Sequence, residues 1–138
     1  MSFLLDTNVV SEWTKPRPNA GVMAWLASAD EDQVFLSVVT LAELRHGIEL
    51  LTGRRRVSLD EWLRHDLALR FEGRIIPIEP AIADEWGRLV ARRAAQGRPI
   101  SAMDALIAAT AEVHSLTLVT RNNADFATTV KSILNPWT

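Results

Sequence analysis

The chain has 138 residues, 48% of them apolar and 23% charged, which suits a single domain with enough apolar content for a real core. It contains no cysteine, which excludes disulfides and thiolate metal sites, and no apolar run approaches the roughly 18–20 residues of a membrane span. Its net charge of −2 argues against nucleic-acid binding through a broad basic surface, but leaves room for a local basic patch or an acidic pocket neutralised by cations.

The chain opens on a short apolar run, Phe3-Leu4-Leu5, that stops at Asp6. Thr7-Asn8 follows, and apolar residues resume at Val9, Val10 and Trp13 with the spacing of one helix face. This reads as a buried strand, an aspartate at its carboxyl end, and a helix. Lys15-Pro16-Arg17-Pro18 is a loop. Asn19 is suited to cap a second helix whose face carries Val22, Trp25, Leu26 and Ala29, with Asp30-Glu31-Asp32 as a solvated turn behind it. Val34-Phe35-Leu36 reads as a second buried strand. Leu41, Leu44, Ile48 and Leu51 then keep helical spacing, and Gly53 is placed to cap that helix.

Arg54-Arg55-Arg56, the one basic run, reads as a solvated loop more readily than as a phosphate-contacting edge. Trp62, Leu63, Leu67 and Phe71 form the face of another helix, ended by Gly73. Arg74–Ile78 is strand-like, and Pro77 puts its end at a sheet edge or a bend. Pro80 suits the first turn of a helix with Ile82, Trp86, Leu89 and Val90 on its face and Gly97 at its end. The Ala-rich run Ala102–Ala111 predicts a helix packed closely on its neighbours. Leu116–Val119 and Ser132–Leu134 are strand-like, joined by the polar stretch Thr120–Phe126. The resulting order, β α α β α α β α α β α β, predicts a parallel sheet flanked by helices. There is no repeat and no dividing linker, so residues 1–138 are expected to form a single domain.

Ionised groups are rarely left unpaired in apolar surroundings, and four acids stand in such places. Asp6 follows the first strand. Glu43 is expected in the first turn of the helix after the second strand. Asp104 opens the Ala-rich helix, and Asp125 lies after the strand ending at Val119. Each has a plain structural reading. Asp is a good N-cap, Thr40-Leu41-Ala42-Glu43 has the capping-box pattern, and Ser101-Ala102-Met103-Asp104 is a near variant of it. In a parallel sheet three of these four loops open on the same edge, and Asp104 joins them if its helix starts there, which points beyond capping. Clustered carboxylates repel unless a cation intervenes, and Mg²⁺ or Mn²⁺ is the natural cation for an all-oxygen site. Such a site can generate a hydroxide and clamp a phosphodiester. Rival sites are few. His46, His65 and His114 have no partners at metal-ligand spacing, and no Gly-rich phosphate loop or GxSxG motif is present.

Taken together, LLDTNVVSEW, SVVTLAELRHGIELL, PISAMDALIAATA and LVTRNNADF resemble, in order and nearly end to end, the PIN-domain ribonucleases. More narrowly they resemble the VapC-type toxins of bacterial VapBC toxin–antitoxin pairs. The resemblance implies a PIN-like three-layer α/β/α domain with a central, mainly parallel sheet of four to five strands. It implies Mg²⁺- or Mn²⁺-dependent endoribonuclease activity, a homodimer, and a cognate VapB-type antitoxin that inserts a peptide at or near the active site. It also assigns residues. Asp6, Glu43, Asp104 and Asp125 are the catalytic, metal-holding acids. Thr7, Asn8, Thr120 and Asn122 support them, and Arg121 is available to a phosphate. The chain shows no membrane segment and no signal peptide at its start, which fits the cytoplasm. Two readings from other classes compete. A phosphatase or phospho-acceptor domain would also use an acidic pocket after its first strand, but Asn8 stands where a haloacid-dehalogenase-like phosphatase wants a second aspartate. A non-catalytic binding module would use the acids only as caps.

Overall fold

The computed structural model describes every residue from Met1 to Thr138. Phe3–Leu5 forms β1, which sits in the middle of a five-stranded sheet with parallel neighbours on both sides. The other strands are β2 (Val34–Ser37), β3 (Ile75–Ile76), β4 (Thr117–Val119) and β5 (Ile133–Leu134), and the spatial order is β3-β2-β1-β4-β5. Every pairing is parallel. The chain builds outward from β1 on one side, then crosses over to build the other. The gap between β1 and β4 is therefore the switch point of the sheet, where open α/β folds place their ligands beyond the carboxyl ends of the strands.

Alternation along the strands sends side chains to two faces. Leu4 and Leu118 point into one apolar cluster, Leu5 and Val119 into another. The first cluster is roofed by α6 (Pro80–Ala95) and α7 (Ala102–Val113), through Ile82, Leu89, Ile107 and a run of buried alanines. Alanine lets these two helices approach each other and the sheet closely, and the Trp86 indole N–H donates to the Ala102 carbonyl at 3.1 Å. The second cluster is covered by α1 (Thr7–Glu12), α2 (Ala20–Ser28), α3 (Val38–Glu49), α4 (Gly53–Glu61) and α5 (Ala68–Arg70), with Val9, Val22, Leu44, Leu67 and Phe71 inside. This is the three-layer arrangement expected from the sequence. A last helix, α8 (Asn123–Phe126), follows β4. No helix is long and apolar enough to cross a membrane.

Local expectations hold at several caps. The Asn19 side chain accepts from the Val22 amide, and Pro80 stands at the start of α6. Others are corrected. Gly53 does not cap α3, which ends at Glu49; with φ of +67° it opens α4 instead. Arg54–Arg56 is not a loop but the first turn of α4, where Arg56 pairs with Glu49 at 2.7 Å. The run carries no apolar residue, so no period could reveal the helix, although arginine is a good helix former. Between α4 and α5 the backbone widens into a π-helical stretch, Trp62–Leu67, that keeps Leu63 and Leu67 both buried. β3 is shorter than the five residues that looked strand-like, and Pro77, which has no N–H to donate, lies just past its end on the sheet edge.

Candidate active site

β1 ends at Asp6, whose amide still donates to the Val119 carbonyl of β4 at 2.9 Å. The carboxylate is thereby held at the switch point. One of its oxygens accepts from the Thr7 amide at 2.8 Å, the N-cap bond of α1, and the other accepts from the Thr120 hydroxyl at 2.8 Å. Asp6 is only 5% exposed, and no cation pairs with it. Burial pushes its carboxyl above the usual aspartate range. The Thr120 and Thr7 hydrogen bonds pull it back, and the nearby charges of Asp104 and Glu43 push it up again. Three of the four acids singled out in the sequence thus share one electrostatic neighbourhood.

Glu43 arrives from α3. It is not in the first turn, as its spacing from Thr40 suggested, but one turn further in. Ser37 is both the last residue of β2 and the cap of α3, accepting from the Val39 amide at 3.0 Å. The strand runs straight into the helix, so Thr40 is free of capping. It is fully buried, and its hydroxyl lies 3.1 Å from that of Thr7. Thr7 in turn donates to Glu43 at 2.6 Å. The capping-box pattern disguised Thr40, which instead packs behind Thr7 and so behind Glu43. Its three-residue spacing from Glu43 on one helix face was the available signal.

Asp104 is half-buried in the first turn of α7, and its amide donates to the capping Ser101 hydroxyl at 3.2 Å, as the near capping-box pattern implied. Asp125 is different. It lies exposed in α8, and no hydrogen bond links its carboxylate to the other acids. What is held is its backbone: the Asp125 carbonyl accepts from Arg93 at 2.9 Å, while the same guanidinium donates to the Arg98 carbonyl at 2.7 Å. Arg93 is buried without a carboxylate partner. It continues the inward-facing row of α6 one turn beyond Leu89, and that position was the overlooked clue.

The supporting residues divide. Thr7 and Thr120 hydrogen-bond directly to acids. Asn8 does not, but its Oδ1 is buried with no hydrogen-bond partner, an acceptor left waiting for a donor. The Asn122 amide donates to the Thr120 hydroxyl at 3.0 Å, while its side chain is exposed. Arg121 is exposed and stacks 5.6 Å from the Trp137 ring. The histidines stand apart from this site, His114 pairing instead with Glu79 at 2.6 Å.

The chemistry of these groups suits a divalent ion. The donors are hard oxygens, the central carboxylate is buried without a counter-ion, and its two acidic neighbours repel it. No three carboxylate or imidazole groups stand in ligating distance of one point. Mg²⁺ is commonly held by one or two carboxylates with water completing its shell, so this donor set fits it.

Known proteins provide the comparison for this geometry. The PIN-domain family profile matches residues 3–131. The chain is 42% identical over 135 residues to Toxin FitB of Neisseria gonorrhoeae, covering 97% of both chains. It is 33% identical over 135 residues to VapC ribonuclease Y4jK of Sinorhizobium fredii, covering 97% of this chain and 96% of that one. The crystal structure of FitAcB from Neisseria gonorrhoeae superposes with a TM-score of 0.90 at 42% identity, covering 98% of both chains. With the five-stranded parallel sheet and the acids at its switch point, these matches place the sequence: the chain belongs to the PIN-domain family.

Proposed function

We propose that this protein is a divalent-metal-dependent endoribonuclease that acts in the cytoplasm as the toxin of a VapBC-type pair. One observation carries the reading. A buried carboxylate, Asp6, stands at the sheet's switch point without a counter-ion and with Asp104 and Glu43 beside it. Full-length relatives named as a toxin and as a VapC ribonuclease support the same assignment.

Asp6, Glu43 and Asp104 would hold Mg²⁺ or Mn²⁺, one or two of them directly and the rest through water, with Asp125 completing the rim of the pocket. When bound, such an ion supplies the charge that activates water and offsets the negative charge developing on a phosphodiester. The protein's own part is positional. Thr120 and the Thr7 amide fix the two Asp6 oxygens, so the carboxylate presents one orientation. The Thr7 hydroxyl aims Glu43 and is braced by Thr40. Asn8, next to Thr7 in the first turn of α1, keeps a buried Oδ1 without a donor. Arg121 follows Thr120 in the chain and is exposed, so its guanidinium would be available to a phosphate. The cluster repels RNA when empty of cations and attracts a phosphate when loaded, so a protein of net charge −2 can still use RNA. Its partners are then the RNA, a cognate VapB-type antitoxin and a second copy of the chain.

The test is cleavage of RNA in Mg²⁺ or Mn²⁺ by the Asp6→Asn and Asp104→Asn variants. Both are expected to lose at least about a hundredfold in rate, beyond the range typical of supporting residues, while the far-UV circular dichroism persists. Asparagine still caps a helix, so folding is spared at position 6. Undiminished cleavage by both variants would overturn the reading.

A further inference from the structure

A cavity of about 230 Å³ opens beside the acids, between α1, α3 and α4. Thr7 and Glu43 form part of its wall, so it is continuous with the acid cluster. Away from them the lining turns apolar, through Leu44, Ile48, Leu59 and Trp62. Two polar groups on it are unengaged. The Trp62 indole N–H has no acceptor in the protein, unlike that of Trp86, which donates to Ala102. The Ser11 hydroxyl is free as well, since the Thr14 hydroxyl donates to the Ser11 carbonyl instead.

A flat ring with apolar faces and a polar edge matches such a lining. The volume lies below the roughly 300–1,000 Å³ of drug-sized pockets and suits one ring system. A strand held by a phosphate at the carboxylates has its adjoining bases within reach of a cavity that shares a wall with them. RNA is read in sequence mainly where its bases are unpaired and can be splayed onto aromatic side chains. We infer that this cavity takes one unpaired nucleobase next to the phosphate held at the acids, and so selects the nucleotide at which the RNA is cut. The inference rests on the endoribonuclease reading above and names its specificity element.

Gly47 provides the means to test it. It lines the cavity, and a Cβ built there meets nothing within 4 Å. It lies inside α3, where leucine is a better helix former than glycine, so Gly47→Leu narrows the cavity without weakening the helix. Trp62→Leu removes the aromatic face instead. The substrate is a single-stranded RNA oligonucleotide pool of random sequence with its cut sites mapped, and Mn²⁺-induced thermal stabilisation is followed in parallel. Wild-type protein is expected to cut at a preferred nucleotide. Both variants are expected to lose about ten- to a hundredfold in kcat/KM, the range implied by losing one stacked base. Trp62→Leu should also relax the preference, and Mn²⁺ stabilisation should stay as in wild type. Wild-type rate and preference in Gly47→Leu and Trp62→Leu would overturn the inference. So would variants that cut RNA normally but no longer bind the antitoxin, since the cavity would then belong to a protein partner. A wild-type protein that binds Mn²⁺ and cuts no RNA overturns the endoribonuclease reading itself, a separate outcome.

Discussion

Asp6 sits where a strand ends, a helix begins and a neighbouring strand's loop arrives, and its carboxylate takes a partner from each of the last two. Capping and ligation are therefore compatible at this residue: one oxygen caps α1 while the charge remains directed at the cluster. Thr120→Val removes the hydroxyl donor and leaves the Asn122 amide without its acceptor. RNA cleavage or Mn²⁺ affinity should fall about 10–100-fold, as is typical for groups that orient a ligand, with the circular dichroism spectrum unchanged. Glu12 behaves oppositely to Asp6. It is also buried, and burial alone would raise its carboxyl, but the Lys15 ammonium and the Asn19 amide outweigh burial and hold it below the usual glutamate value of 4.5. A depressed folded-state pKa contributes stability that is present above the unfolded value and is lost as pH falls through the folded one. Glu12→Gln should thus cost about 1.5–3 kcal/mol at pH 7, the scale of a hydrogen bond to a charged group. In thermal melts across pH, its deficit should shrink below pH 4.5; a constant deficit would contradict the assignment.

At the scale of elements, the least expected contact joins the two ends of the chain. A Cβ at Gly21 in α2 would lie 2.3 Å from the Pro136 carbonyl oxygen, and Asn19 hydrogen-bonds Thr138. Gly21→Ala therefore forces the C-terminal segment off α2 and should cost about 1–3 kcal/mol, the range for overpacking. In a chain ending at Leu134 the same change should instead stabilise by up to about 1 kcal/mol, because alanine is the better helix former. Denaturant melts of the four proteins measure this reversal of sign. Much of the element order was legible because apolar periods of 3.6 and short apolar runs write themselves into the sequence. α4 was not, because a helix entered through three arginines shows no period. The start of α3 was misplaced because Ser37 serves as strand end and cap together, which hid Thr40's part in the site.

For the molecule as a whole, a divalent ion held by the acid cluster, as proposed, would make cation binding and stability one equilibrium. A divalent ion that binds only the folded chain stabilises it by about 2.7 kcal/mol at a hundredfold excess over Kd. Mn²⁺ should therefore raise the Tm of the wild-type protein by several degrees and that of Asp6→Asn by far less, as read by calorimetry with and without chelator. RNA affinity should depend steeply on divalent ion and shallowly on monovalent salt. Few phosphates are neutralised by a surface with no broad basic face, and the logarithmic salt slope for single strands is about −0.7 per neutralised phosphate. A slope steeper than about −3 would require a basic RNA track on this surface and contradict the prediction.

The sequence by itself determined the order of the strands and of most helices, the burial of β1 and the Ala-rich α7, and which four acids stand out from apolar surroundings. These are local properties, carried by residue type and spacing along one segment. Only the tertiary structure decided which acids meet. Asp6 and Thr120 are 114 positions apart and bond because β1 and β4 are neighbours at the switch point. Thr7 reaches Glu43 across 36 positions because α1 and α3 pack together. Asp125, equal to the others on paper, is exposed at the rim, tied in only through its carbonyl and the buried Arg93. Strand pairing is a long-range choice among apolar runs that look alike, so no short window of sequence could say that Asp6 is the acid at the centre.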